Sequence, residues 1–218
     1  MFNKENHPLN NLKFLDDKSK WKTENIVMTE NKLEIFGHPV MESWEEPYMK
    51  KLAEIATSKN GKILEVGFGL GISAKHIQQN IISEHHIIEA NNFVYEKLLI
   101  FAENANHRVF SYLGFWEDIV KNMQDESFDG ILFDTYPIVE SELHTARFDF
   151  FNQAYRLLKK GGVFTHYSGE IEFTTEYISN LKNAGFTDFS GELITITPSS
   201  NCLYWDEKQI LAPKIIKT

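Results

Sequence analysis

Three carboxylates surround one tryptophan in "MESWEEPYM", where Glu42, Glu45 and Glu46 flank Trp44 and Pro47 follows at once. Far along the chain, "FDGILFDTYP" places another acid, Asp134, directly after a run of apolar residues. An acid in that position ends a buried strand at the carboxyl edge of a sheet, where open α/β proteins bind their ligands. The bland alternative is an aspartate that only forms a turn. If a glutamate near Trp44 faces Asp134 across one small volume, the two repel each other unless a cation lies between them. A guanidinium suits that space, because its planar fork of N–H donors matches carboxylates two bonds at a time. Its high pKa leaves almost no neutral nucleophile, so alkylating one of its nitrogens needs a base that takes the proton. It also needs the electrophile, here a methyl-sulfonium, held in line with the nitrogen.

A place for such an electrophile is legible in "KILEVGFGLG", a β-branched run that ends in Gly67, Gly69 and Gly71. Glycines at a strand-to-helix crossover let the backbone turn tightly and approach a ligand closely. Glu89 ends the next strand about 20 positions later, where a carboxylate can accept hydrogen bonds from ribose hydroxyls. A dinucleotide fingerprint requires glycine at the sixth position of the motif, and Ile72 stands there. The departure favours a nucleoside cofactor without a pyrophosphate and leaves a dehydrogenase as a remote reading. In "GFWEDI", Trp116 can cover a purine while Glu117 and Asp118 accept from an exocyclic amine. The same two acids equally suit a helix N-terminus, where negative charge is favoured.

These residues need elements to position them. Strand-like runs at "KILEV", "HHIIEANN", "HRVFSYLG", "FDGILFDTYP" and "GVFTHYS" alternate with helical stretches, so the expected core is a parallel sheet covered on both faces. A helix follows the acidic tryptophan segment, with apolar Tyr48, Met49, Leu52, Ile55 and Ala56 at helical spacing and Asn60-Gly61 as its stop. The helix "RFDFFNQAYRLLKKGG" is expected to stop at its paired glycines. Two further runs, "GELITITP" and "CLYWDEKQILAPKII", read as an antiparallel hairpin. Residues 1–30 are polar and show no periodicity, and they read as an arm that can serve as a lid. Residues 31–218 read as one domain.

The chain has 218 residues and a formal net charge of -9, which excludes the electrostatic footprint of a general nucleic-acid binder. No apolar run approaches the roughly 18 residues needed to span a bilayer. One cysteine, Cys202, permits no internal disulfide, and with no signal-peptide pattern at the start the expected compartment is the cytoplasm. The eight histidines show no metal-ligand grouping, so no metal is expected. His144, His166, Arg147 and Tyr136 are candidates for substrate contact, each weighed against an ordinary structural role.

The motifs together resemble the guanidinoacetate N-methyltransferases, which are S-adenosylmethionine-dependent enzymes of the Rossmann-like class I fold. The similarity runs through "LEIFGHPVMESWEEPYM", "ILEVGFGLGIS", "EHHIIEANN", "GFWEDI", "FDGILFDTYP", "LHTARFDF" and "RLLKKGGVFTHY". The glycine segment is common to many methyltransferases; the tryptophan and aspartate segments are far more specific. The resemblance implies a mostly parallel seven-stranded sheet with a C-terminal antiparallel hairpin. It implies that Met41 and Met49 line the cofactor and that Trp21 closes over it. Phe68, Leu70, Ile72 and Ser73, with the glycines between them, would wrap the methionine end. Glu89, with Ala90 and Asn91 beside it, would hold the ribose, and Trp116 with Glu117 would contact the adenine. Glu45 and Asp134 would grip the guanidinium, with Met41, Tyr136 and His166 nearby and Asp134 as proton acceptor. Glu42 and Glu46 would then be solvent-facing or capping charges, Ser43 and Glu46 having capping-box spacing.

One segment departs from that pattern. After "GGVFTHY" the family carries an asparagine-leucine-threonine stretch whose amides hold the substrate carboxylate. This chain is shorter there and reads "SGEIEFTTEY", which brings Glu170 and Glu172 into the vicinity. Acids in that place would repel an anionic tail, so the expected substrate is a guanidino metabolite such as arginine or an arginine derivative. An arginine-side-chain methyltransferase acting on peptides, and a non-catalytic nucleoside binder, are the alternatives. A monomer or a homodimer fits equally well.

Overall fold

The computed structural model describes residues 12–139 and 146–218. Its main sheet has seven strands in the order β6-β5-β4-β7-β8-β10-β9. Five are parallel: β4 (Lys62–Val66), β5 (Glu84–Glu89), β6 (Val109–Leu113), β7 (Phe128–Phe133) and β8 (Leu158–His166). The last two, β9 (Asp188–Thr195) and β10 (Gln209–Ile216), form the expected antiparallel hairpin, with β10 antiparallel to β8. The helices are α1 (Glu46–Ala56), α2 (Ile72–Ile77), α3 (Asn92–Glu103), α4 (Trp116–Ile119), α5 (Ala146–Asp149), α6 (Phe151–Leu157) and α7 (Thr175–Asn183).

Strand alternation builds two cores. Ile63, Leu132 and Val163 pack with α1, α2 and α3, while Leu64, Ile131 and Phe164 pack with α6 and α7. Central strands buried on both faces read as continuous apolar runs, which is why the sequence marked them so plainly.

Helix α1 sets the geometry of the site. Pro47 occupies its first turn, where the missing N–H is harmless. At its other end, the Ala56 carbonyl packs so tightly on β7 that a Cβ on Gly130 would lie 1.8 Å from it. From Ala56 back to Glu46 the helix spans about 15 Å. From Gly130 to Asp134 the strand spans about 13 Å. Helix and strand run in opposite senses, so the start of α1 arrives beside the end of β7.

Two features differ from the sequence expectation. First, a small antiparallel sheet precedes α1, formed by β1 (Ile26–Met28), β2 (Lys32–Ile35) and β3 (His38–Glu42). The anticipated division at residue 30 falls in the β1–β2 turn, and Ile26 pairs with Ile35 across it. Before β1, Lys18–Thr23 make a 3-10 helix that buries Trp21. Second, the helix over "RFDFFNQAYRLL" is broken at Phe150 and ends at Leu157, and "LKKGG" belongs to β8. No described helix is long and apolar enough to cross a membrane.

Candidate active site

A cleft of about 880 Å³ opens at the carboxyl edge of β4, β5 and β7, lined by Gly67, Gly69, Glu89, Ala90, Trp116 and Asp134 among others. Gly67 has φ +92°, and a Cβ there would lie 1.8 Å from the Asp134 carbonyl oxygen. Gly69 has φ +54° and faces the sulfur of Met41, whose Sδ also accepts from the Leu70 amide at 3.4 Å. The turn therefore brings bare backbone to the cleft on one side and thioether on the other. Glu89 is 8% exposed. Its Oε1 accepts from the Asn91 amide at 2.7 Å and its Oε2 from the Phe68 amide at 3.1 Å. Burial holds this carboxyl above its ordinary pKa against the opposing pull of those amides. The cradle fits a nucleoside: glycine backbone for close approach, a fixed carboxylate for a diol, and Trp116 for a base.

The N-terminal segment closes this cleft from outside. Trp21 lines it and stacks on Tyr136 with rings 6.0 Å apart and 3° from parallel. The Trp21 carbonyl accepts from Asn91 Nδ2 at 2.8 Å, and Asn91 Oδ1 caps α3 by accepting from Phe93 and Val94. Lys18 pairs with Glu117 at 2.6 Å across the cleft mouth. Tyr136 Oη lies 3.0 Å from His38 Nδ1, which joins the β7 exit loop to β3.

Beyond Asp134 the surroundings become acidic and apolar together. Glu45, 2% exposed, ends the short 3-10 turn before α1. Its Oε1 accepts from the Glu42 amide at 2.8 Å and from Tyr204 Oη at 2.7 Å, while Oε2 has no hydrogen bond among the described residues. Burial first, and the charge of Asp134 second, push Glu45 up to about 8. Burial and the charge of Glu65 push Asp134 up to about 7. No described donor reaches the Asp134 carboxylate. Glu65 itself is fully buried under the glycine turn, bonded to Ser73 Oγ and 2.9 Å from His85 Nε2. Asp134 lines the end of the cleft, and Glu45, which is not among the lining residues, interacts with it from behind; a cation between the two would be stabilised.

Several anticipated positions lie elsewhere. Met49 is fully buried inside α1 and does not line the cleft. Phe68 turns inward against Phe101, and Ile72 and Ser73 begin α2 beneath the turn. Gly71 supplies the left-handed residue before that helix, its absent Cβ making room for the Phe68 ring. His166 is corrected to a core role. It is 0% exposed, its ring meets Tyr177 Oη and the Tyr167 carbonyl, and it stacks on Phe164 in the core beneath α6 and α7. Burial pushes it down to about 3, so it stays neutral. Glu170 pairs with Arg147 at 2.7 Å and Glu172 is exposed, so the expected repulsion of an anionic tail loses its basis. The capping box joins Glu42 and Glu45, not Ser43 and Glu46, and Glu42 Oε2 is taken by Trp44 Nε1 and Ser199 Oγ. His144 lies outside the described residues. No group of three metal-ligating side chains occurs among the described residues.

Tyr204 was missed. Tyr204 reaches Glu45 from the β9–β10 connection, 159 positions away, and nothing local in the sequence announces that contact.

Comparison with known proteins agrees with this architecture. The spermidine synthase of Thermotoga maritima superimposes with a TM-score of 0.65 at 16% identity, over 89% of this chain and 72% of that one. An O-methyltransferase from Bacillus cereus, solved with SAH, gives 0.54 at 18% identity over 82% of each chain. Protein arginine N-methyltransferase 2 of Yarrowia lipolytica is 31% identical over 166 residues, 72% of this chain and 33% of that protein. The chain spans about a third of the length of the curated relatives it matches. The model of the family described as guanidinoacetate N-methyltransferase matches residues 13–218. The chain belongs to that family of S-adenosylmethionine-dependent methyltransferases.

Proposed function

We propose that this protein transfers a methyl group from S-adenosylmethionine to a guanidino nitrogen of a small molecule. The observation that carries the reading is the pair of buried Glu45 and half-buried Asp134, each raised well above its ordinary range and each with a carboxylate oxygen unpaired among the described residues. Such a pair is costly when empty and relieved by a cation. When bound, the cofactor supplies an electrophilic methyl on sulfur.

The chain's own residues supply the rest. Tyr204 fixes Glu45 Oε1, which leaves Oε2 to accept a guanidinium N–H. Asp134 accepts another N–H at the cleft end nearest the glycine turn. As the carbon–nitrogen bond forms, the methyl's bond to sulfur would break with its electron pair left on the sulfur as a thioether, and the proton on that nitrogen passes to an Asp134 oxygen. An elevated pKa makes Asp134 a stronger base than an exposed aspartate. Trp21, Tyr136 and Lys18 over the cleft mouth keep water from the reacting groups and serve as the lid.

The substrate tail is not held as the family pattern implies. The Ser168 amide is bonded to Tyr48 Oη at 3.0 Å, and the Glu170 amide to Ser168 Oγ at 3.2 Å. Two amides of this stretch are therefore spoken for, so a carboxylate tail that depends on them, as guanidinoacetate's does in the family pattern, finds fewer donors here. A second reading, methylation of arginine side chains in a peptide, is favoured by the names of the curated relatives. Burial of Glu45 under the 196–208 connection supports the enclosed small-molecule site instead. Labelled S-adenosylmethionine offered with guanidinoacetate, arginine, agmatine and an arginine peptide tests both, with product mass as the readout. Methylated free arginine or agmatine is the expected outcome. Label in the peptide alone would transfer the assignment to the second reading, and label in none would reject both.

A further inference from the structure

One acid of the cleft wall has no part in the site described so far. Asp149 closes α5, is exposed, and lines the cleft together with Trp116, Glu117 and Ile138. The next residue, Phe150, meets the Trp116 ring edge-on at 5.2 Å, so Asp149 stands at the tryptophan end of the cleft. Its carboxylate makes no hydrogen bond or ion pair among the described residues. An acid just ahead of a helix ordinarily caps it by accepting its first amides. Helix α6 begins at Phe151 without any such side-chain bond, so Asp149 does not serve that purpose.

The two acids that the sequence offered for the exocyclic amine of adenine are both matched by cations. Glu117 Oε1 accepts from Lys18 Nζ at 2.6 Å, and Asp118 Oδ1 accepts from Lys121 Nζ at 2.9 Å. An ammonium is a stronger donor than a neutral aryl amine, and it holds its carboxylate against one. Stacking on Trp116 cannot choose among bases either, because every base presents a π-face. We propose that Asp149 is the purine-selecting residue of the S-adenosylmethionine site, its carboxylate accepting from the exocyclic amine of adenine. The same contact rejects a 6-oxo purine, whose carbonyl oxygen would face the carboxylate with no proton between them. It concerns the cofactor end alone and does not depend on the methyl acceptor proposed above.

S-adenosylhomocysteine and S-inosylhomocysteine test this, because they differ only in the purine 6-substituent and the proton that goes with it. Neither carries the sulfonium charge, so a general change of field in the cleft moves both affinities alike. Calorimetry on the wild type, Asp149→Asn and Asp149→Ala gives the ratio of the two dissociation constants. The wild type is expected to prefer the adenine compound about 30-fold, as for a hydrogen bond to a charged group. In Asp149→Asn the preference should fall to about threefold, since the new amide can donate to a 6-oxo group. Asp149→Ala should lower it by weakening the adenine compound alone, and both variants should keep the wild-type Tm, as expected for an exposed side chain without bonds. A ratio unchanged in both variants would overturn the proposal. Equal loss of both affinities would assign Asp149 to the shape or field of the cleft and refute the contact. A preference that collapses in Glu117→Gln and survives in Asp149→Asn would return the contact to Glu117 and refute it as well.

Discussion

The two ends of the cleft hold carboxylates in opposite conditions. Glu89 at the nucleoside end is fastened by backbone amides on both oxygens, while Asp134 at the other end has no donor among the described residues. The first is preorganised for neutral hydroxyls, which ask only for a fixed acceptor. The second is left short of positive charge, which a cationic substrate would complete on the function proposed above. Glu89 is buried and Asp134 half-buried; what separates them more is whether the protein itself supplies the counterweight. A fold can therefore hold one half of a reaction rigidly and leave the other half electrostatically unfinished until its substrate arrives.

The sharpest way to break this contrast is Asp134→Asn. It keeps the shape and removes the base, and kcat should fall by about 100- to 10,000-fold. The S-adenosylmethionine dissociation constant, measured by calorimetry, should stay within about twofold. Near-normal turnover would remove Asp134 from its role. Glu45→Gln comes next, with kcat/KM on the guanidino substrate lowered about 100-fold, mostly through KM, as for other truncated buried charge pairs. If Glu45→Gln instead weakened cofactor binding by as much, the two ends would not be separable.

Glu89→Gln tests the other end, with cofactor affinity weakened about tenfold and guanidine KM little changed. The smallest effect is on stability against pH. Glu45 and Asp134 have folded pKa values of about 8 and 7, raised from 4.5 and 3.8. The folded protein thus binds protons that the unfolded chain has released. Its stability is greatest below the unfolded values and is lost as pH rises through 7 and 8. The Tm of the ligand-free protein should drop from pH 6 to pH 8.5, and Asp134→Asn should flatten that drop. A Tm that rises over this range would contradict the raised pair.

The core sheet was legible because its strands are unbroken apolar runs stopped by glycine. The glycine turn, Glu89, Trp116 and Asp134 follow from their places at strand ends. The β1–β3 sheet was not legible: its strands are three to five residues long, and β3 reads "HPVME", with proline inside it. His166 shows a missed inference rather than a missing signal. Alternation along β8 puts Val163 on the α1 face and Phe164 opposite, so His166 follows Phe164 away from the site. Period two alone would have excluded it. Tyr204 had no such route, because only tertiary folding joins the β9–β10 connection to the start of α1.

The close approach at Gly67 has a consequence for engineering this scaffold. Any side chain at position 67 would collide with the main chain of Asp134 before it met a nucleoside. A substitution there would report as a defect in acceptor chemistry as well as in cofactor loading. Attempts to retune one half by grafting a different glycine loop must therefore carry the residues after β7 along as a matched piece.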